Sequence, residues 1–183
     1  MRALCVFCGS SSGSDDYLAM AREAGTLIAQ SGVALVYGGG RVGLMGALAD
    51  AALAANGRVI GVIPQMLVDR EVGHSGLSEL HVVRTMAERK ELMGTLSDAF
   101  LALPGGIGTM DELFEAWTWT QLGLQRKPSG LLNFRGYYDS LVTFLDHAVE
   151  QGFLSAANRA NLWVDDDLER LIRRLCSAPS GVG

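Results

Sequence analysis

At 183 residues, 49% apolar and 19% charged, the chain is long enough to bury a sizeable core and lacks the composition of a disordered protein. Its formal net charge of −5 argues against a general nucleic-acid binder, which needs a basic face. No apolar run approaches a membrane span, and Ala3 to Cys8 is shorter than a secretory h-region, so a cytoplasmic protein that engages no membrane is expected.

Short apolar runs alternate with helical patterns along the chain. Leu4–Phe7 predicts a first strand. Asp15–Gln30 predicts a helix, with Tyr17, Leu18, Ala21, Leu27 and Ile28 at helical spacing and Gly32 as its stop. Val33–Tyr37 is a second strand, Gly43–Ala55 an alanine-rich helix closed by Asn56-Gly57, and Val59–Ile63 a third strand ended by Pro64. Gln65–Gly76 reads as an irregular loop, Leu80–Val83 as a fourth strand, Met86–Leu96 as a helix and Ala99–Leu103 as a fifth strand. A helix from Thr109 to about Leu122, a sixth strand at Gly130–Asn133, a helix at Tyr137–Gln151 and a short one from Ser155 follow. Leu162–Val164 and Asp167–Cys176 close the pattern as a seventh strand and a last helix. Strand–helix repetition with strands apolar on both faces predicts a parallel sheet covered on each side. One catalytic domain over residues 1–176 is expected, with 177–183 as a disordered tail.

Ligands of such sheets bind beyond the carboxyl ends of the strands, and three loops there are rich in small residues. Gly9-Ser10-Ser11-Ser12-Gly13 follows the first strand. After the second, Gly38-Gly39-Gly40-Arg41-Val42-Gly43 satisfies G-x-G-x-x-G, a pattern that serves either a phosphate or a tight strand-to-helix turn. A dinucleotide is disfavoured, because the next strand ends Gly61-Val62-Ile63-Pro64-Gln65 without the acid that would hold a ribose hydroxyl. After the fifth strand comes Pro104-Gly105-Gly106-Ile107-Gly108-Thr109-Met110-Asp111-Glu112, where a glycine turn opening a helix frees N–H groups for an anion. Three such loops along one sheet edge favour a mononucleotide or sugar phosphate, and none carries the Gly-Lys-Ser/Thr of a Walker A loop.

Glu112 admits two readings. Thr109-Met110-Asp111-Glu112 has the spacing of a capping box, in which Glu112 reaches back to the Thr109 N–H. Alternatively the carboxylate faces a ligand held at the helix start. Asp111, one residue away, points about 100° around the helix, so the two acids do not form a glycosidase-like dyad. Arg89 and Lys90, near the start of another helix, oppose its dipole, which fits either an anionic ligand or a solvated face with Glu88 and Glu91. Lys90 and Lys127 are the chain's only lysines, which leaves few candidates for a pyridoxal phosphate Schiff base. His74, His81 and His147 show no metal-ligand spacing, so no metal is expected. Cys5 and Cys8 form C-x-x-C within or at the end of a strand, where alternation sends them to opposite faces as buried small hydrophobes. Trp117 and Trp119 lie on different faces of one helix, with core packing or a subunit contact the default for at least one of them.

These segments together resemble a known family. Pro104 to Glu112 reads as P-G-G-x-G-T-x-x-E, Tyr37 to Gly46 as Y-G-G-G-x-x-G-L-M-G, and Met86 to Lys90 as M-x-x-R-K; Thr118 to Tyr138 is also typical. The chain resembles the LONELY GUY family of cytokinin riboside 5′-monophosphate phosphoribohydrolases from the first strand to about Phe153. The resemblance implies a Rossmann-like, doubly wound α/β/α fold, a homodimer, no cofactor, and hydrolysis of N6-substituted AMP to free base and ribose 5-phosphate. It implies Arg89 and Glu112 as the catalytic pair. It implies substrate contacts from Glu71, Arg89, Lys90, Thr118 and the Gly106, Ile107, Gly108, Thr109, Met110, Asp111 and Glu112 segment. Gly38, Gly39, Gly40 and Gly43 would help hold the phosphate. Ala87 and Asp111 depart from residues common in relatives, and Ala87 is expected to alter which N6 substituents fit. Two other readings compete: a broader AMP nucleosidase, and a binding module of the molybdenum-cofactor carrier kind, which needs anion-binding loops but no Arg–Glu pair.

Overall fold

Ala3-Leu4-Cys5-Val6-Phe7 is buried at every position, as a central strand covered on both faces requires. A computed structural model describes residues 1–70 and 73–178. Its strands are β1 (Ala3–Phe7), β2 (Ala34–Tyr37), β3 (Val59–Pro64), β4 (Glu79–Val83), β5 (Ala99–Ala102), β6 (Ser129–Leu132) and β7 (Leu162–Asp165). They form one sheet in the order β4-β3-β2-β1-β5-β6-β7, with every pairing parallel. Alternation divides the strand side chains between two cores. On one face Leu4, Val6, Leu35, Tyr37 and Leu101 pack with α1 (Asp15–Gln30), α2 (Gly43–Ala54) and α8 (Leu168–Ser177). On the other, Cys5, Phe7, Val36, Val62 and Phe100 pack with α4 (Met86–Thr95), α5 (Ile107–Gln121) and α6 (Asp139–Glu150). Cys5 and Cys8 fall into opposite cores as free thiols. Each fully buried Leu, Ile or Phe contributes about 1.5–3 kcal/mol relative to exposure.

The edge strand β4 departs from this pattern. It alternates half-buried and exposed residues, leaving Leu80 and Val82 partly open to solvent. The segment expected to be an irregular loop contains one helical turn, α3 (Gln65–Val68), directly after Pro64, its extended N-cap residue. A second short helix, α7 (Ala156–Ala160), precedes β7. α8 runs one residue beyond Cys176, through Ser177, and residues 179–183 lie outside the described part. The position that matters for function is set by strand order. β1 has β2 on one side and β5 on the other, so the chain's direction of progress across the sheet reverses there and opens a crevice beyond the carboxyl ends of β1, β2 and β5. Among the described residues no helix is long and apolar enough to cross a membrane.

Candidate active site

The three small-residue loops meet at this crevice and are stitched together. Gly9 N–H donates to the Pro104 carbonyl (3.2 Å), and Leu44 N–H donates to the Gly9 carbonyl (3.1 Å). A cavity of about 490 Å³ lies between them, within the range of small-ligand sites. Its wall includes Gly38, Gly40, Arg89, Gly106, Ile107, Gly108, Thr109 and Glu112, with Val42, Met45, Ile63 and Leu67 as an apolar side. A second cavity of about 300 Å³, between the Gly9–Gly13 loop, Tyr17 and Tyr137, adjoins it at Gly9, Ser10 and Gly106.

The helix behind the second glycine loop starts earlier than its sequence suggests. α5 begins at Ile107 with Gly106 as its N-cap, and no side chain caps it. Of the two readings of Glu112, the Thr109–Glu112 capping box is therefore not formed. Thr109 is the third helical residue, and Glu112 sits in the second turn, pointing into the cavity. The capping geometry occurs on α4 instead. The Thr85 hydroxyl accepts from Glu88 N–H (3.1 Å), while the Glu88 carboxylate accepts from Arg84 N–H (2.9 Å) and from its guanidinium. That cap fixes the first turn of α4, which carries Arg89.

The first-turn N–H groups of α5 have no intrahelical acceptor and no side-chain cap, and Gly106, Ile107 and Gly108 are exposed. A Cβ added at Gly106 or at Gly108 would meet nothing within 4 Å, and neither glycine has a positive φ. Neither the backbone nor the packing of the protein explains why these two positions are bare. A bare, open helix start is what an anion needs for close approach to the amides. Two tyrosines hold the loop from behind. Tyr138 Oη donates to the Leu103 carbonyl (2.8 Å) and Tyr137 Oη to the Gly105 carbonyl (2.7 Å). Sequence reasoning missed that role; the adjacent pair after the sixth strand is the signal that was available.

Arg89 and Glu112 meet across the crevice. Nη1 lies 3.3 Å from Oε1, and each side chain is only 9% exposed. Arg89 is held at two further points, Nε to the Val62 carbonyl and Nη2 to the Gly38 carbonyl, both at 3.1 Å. Burial raises the Glu112 carboxyl above the ordinary glutamic acid range, Arg89 and Lys90 pull it down, and Asp111 pushes it up. The result is a dry, fixed carboxylate beside a fixed cation.

The other sequence-predicted residues divide. Gly39 and Gly43 do not line the cavity: Gly39 has φ 72°, and a Cβ on Gly43 would strike the Ser10 backbone at 2.2 Å. Lys90 points away and bridges α4 to Asp111 (3.0 Å) and Glu115 on α5. Met110, Asp111 and Thr118 are also absent from the lining, and Thr118 is exposed about three turns along α5. Ala87 lines a separate surface groove with Glu91, Glu115 and Trp119, so it does not shape the space beside Glu112. Glu71 lies outside the described residues. Neither lysine reaches the cavity, since Lys127 Nζ donates to the Gly94 carbonyl (2.7 Å) at the end of α4. Among the described residues, no group of three or more His, Cys, Asp or Glu is placed to hold a metal.

Fold and cavity define the class: a Rossmann-like α/β protein with its site at the switch point of a parallel sheet. Residues 45–175 match the family described as possible lysine decarboxylase. The chain is 48% identical over 178 residues to the cytokinin riboside 5′-monophosphate phosphoribohydrolase of Rhodococcoides fascians, covering 96% of this chain and 90% of the relative. It is 46% identical over 175 residues to the enzyme of the same name, LOG1, from Arabidopsis thaliana, covering 95% and 82%. The chain belongs to this family, the LONELY GUY phosphoribohydrolases. Its fold is shared with the molybdenum cofactor carrier protein of Chlamydomonas reinhardtii, at TM-score 0.72 and 22% identity over 97% of this chain and 100% of that one. The molybdenum cofactor binding protein of Rippkaea orientalis matches similarly, at TM-score 0.71 and 22% identity over 97% of both chains.

Proposed function

We propose that this protein hydrolyses the N-glycosidic bond of N6-substituted adenosine 5′-monophosphates, the cytokinin ribotides, to free base and ribose 5-phosphate. The observation that carries the reading is the buried Arg89–Glu112 pair beside a bare helix start in one cavity. Glu112 lies four residues beyond Gly108, about 6 Å along the helix axis. That is the reach of a pentose 5-phosphate from phosphorus to anomeric carbon. With the phosphate on the α5 amides, the ribose C1′ comes to the carboxylate. The high identity to relatives that bear the phosphoribohydrolase name supports the same reaction here.

In this mechanism the C1′–N9 bond breaks with its electron pair going to the purine, which takes up a proton as it leaves. Positive charge develops on the ribose, where the ionised Glu112 stabilises it. A water oxygen then bonds to C1′ and gives a proton to Glu112 or to solvent. Arg89 keeps its proton under all ordinary conditions, so its part is electrostatic and positional rather than proton donation. The reading takes residues 1–176 as one catalytic domain that acts as a cytoplasmic homodimer. The exposed apolar side chains Leu122, Leu124, Phe144 and Phe153 are available for a subunit contact, and light scattering in solution tests it. The test of the activity is incubation with isopentenyladenosine 5′-monophosphate and with AMP, with chromatography of the products. Release of base and ribose 5-phosphate from the first substrate is the expected result. Comparable kcat/KM on AMP identifies a broader nucleosidase. No release from any nucleotide, with a pterin cofactor copurifying, overturns the reading in favour of a carrier.

A further inference from the structure

We propose that Gly38 is a positioning residue for the reaction: the space where its side chain would stand is the seat of the Arg89 guanidinium. The first glycine loop is then an arginine dock, and the phosphate cradle is the second loop alone. The proposal rests on the reaction read above.

A Cβ built on Gly38 would lie 1.7 Å from Arg89 Nη2 and 2.9 Å from Cζ, with Nε next at 3.5 Å. Its three nearest neighbours are thus all atoms of one guanidinium group. Gly38 has no positive φ, so backbone conformation does not demand glycine there. Gly39, Gly43 and Gly46 have different reasons. Gly39 has φ 72°; Gly43 has φ 58° and faces the Ser10 backbone; a Cβ on Gly46 would meet the Arg41 carbonyl at 2.1 Å. At Gly38 the nearest protein atoms that a side chain would meet are those of Arg89. The seat also supplies a hydrogen bond, because the Gly38 carbonyl accepts from Nη2 at 3.1 Å. Val62 O takes Nε from the next strand, which leaves Nη1 aimed at Glu112. Loop exposure agrees: Gly38, Gly39 and Gly40 are buried, whereas Gly106 and Gly108 are open. Both loops line the cavity, but the second is the more open to an anion.

The substitution Gly38→Ala separates the two roles. The methyl group collides with the far end of a flexible side chain rather than with backbone, so Arg89 swings out and the fold persists. The expected result is a kcat reduced by about a hundredfold, as for removal of one preorganised electrostatic group. The inhibition constant of ribose 5-phosphate should stay within about threefold of wild type, since uniform ligand binding is kept. Arg89→Ala should show the same loss, and Gly38→Ala in the Arg89→Ala background should add nothing further. A readout independent of turnover is the Glu112 carboxyl followed by carbon-13 NMR. It should titrate at higher pH in Gly38→Ala, as in Arg89→Ala, because the cation has left. If no nucleotide is cleaved by wild type, the functional reading fails while this titration still decides the seat. An unchanged Glu112 titration, additive losses in the double variant, or ribose 5-phosphate affinity falling in step with kcat each overturn the proposal. If Gly38→Ala does not fold, the double variant must, since its clash is gone; an unfolded double variant also overturns the proposal.

Discussion

Glu112→Gln keeps the side chain's size and an acceptor for Arg89 while deleting the charge that the mechanism requires. A carboxylate about 4 Å from a developing unit charge, at an effective dielectric near 20, is worth on the order of 4 kcal/mol. At about 1.4 kcal/mol per tenfold, that is close to three decades of rate. The variant should therefore lose about a thousandfold in kcat, measured as base released from isopentenyladenosine 5′-monophosphate. Its affinity for ribose 5-phosphate should hold, because the proposed phosphate contacts are with the α5 amides and not with this side chain. The pH dependence carries a second signature. Burial raises the Glu112 carboxyl and Arg89 only partly offsets it, so the working anion is lost on acidification above the ordinary glutamic acid range. kcat/KM should fall through that raised value. Stability runs the other way. A raised folded pKa means that the fold favours the protonated form, a contribution fully present below the unfolded pKa and lost as pH rises through the folded one. The Tm of Glu112→Gln relative to wild type should accordingly improve from acid to neutral pH. Turnover of Glu112→Gln within about tenfold of wild type would refute the electrostatic role, because it leaves little over 1 kcal/mol to explain.

Three further outcomes follow from the same geometry. Gly108→Ala adds a methyl that meets no protein atom, so it should stabilise α5 by about 0.5–1 kcal/mol while raising KM for the nucleotide at least tenfold; a raised Tm with unchanged KM would remove the phosphate from the α5 start. Thr85→Ala deletes the cap of α4 at a cost of about 1 kcal/mol, seen as a Tm lowered by about 2–4 °C, with kcat falling because Arg89 rides on that first turn. Asp98 is opposed by burial, yet the Arg2 and Ala3 N–H groups more than offset this and lower its pKa. Its stabilising contribution is present above the unfolded pKa and lost as pH falls through the folded value, so Asp98→Asn should lower Tm at neutral pH and converge with wild type in acid.

The order of strands and helices is legible because burial imposes it on composition. Strands covered on both faces must be apolar throughout, and Asp15–Gln30 matches α1 at both ends because its apolar stripe has one period and Gly32 stops it. α3 escapes because a single turn is too short to show a period. Strand order does not follow from local pattern at all. That β1 adjoins both β2 and β5, and so where the crevice opens, depends on pairings between segments far apart in sequence.

The site shows where local rules stop. Thr85-Met86-Ala87-Glu88 and Thr109-Met110-Asp111-Glu112 have the same capping spacing, yet only the first is a cap. The difference lies upstream. Before Thr85 the chain is an ordinary strand end, and the hydroxyl is the best partner for the free amides. Before Thr109 stand Gly105, Gly106 and Gly108, and the helix begins at Ile107, ahead of Thr109, with its amides uncovered. A side-chain cap would occupy the donors that an anion needs, so a helix start that serves a ligand has to give up its cap. That early start also carries Glu112 from the helix end into the second turn, opposite Arg89. The bare cradle and the buried ion pair are thus two consequences of one placement, and a change that restores a cap to α5 should weaken both.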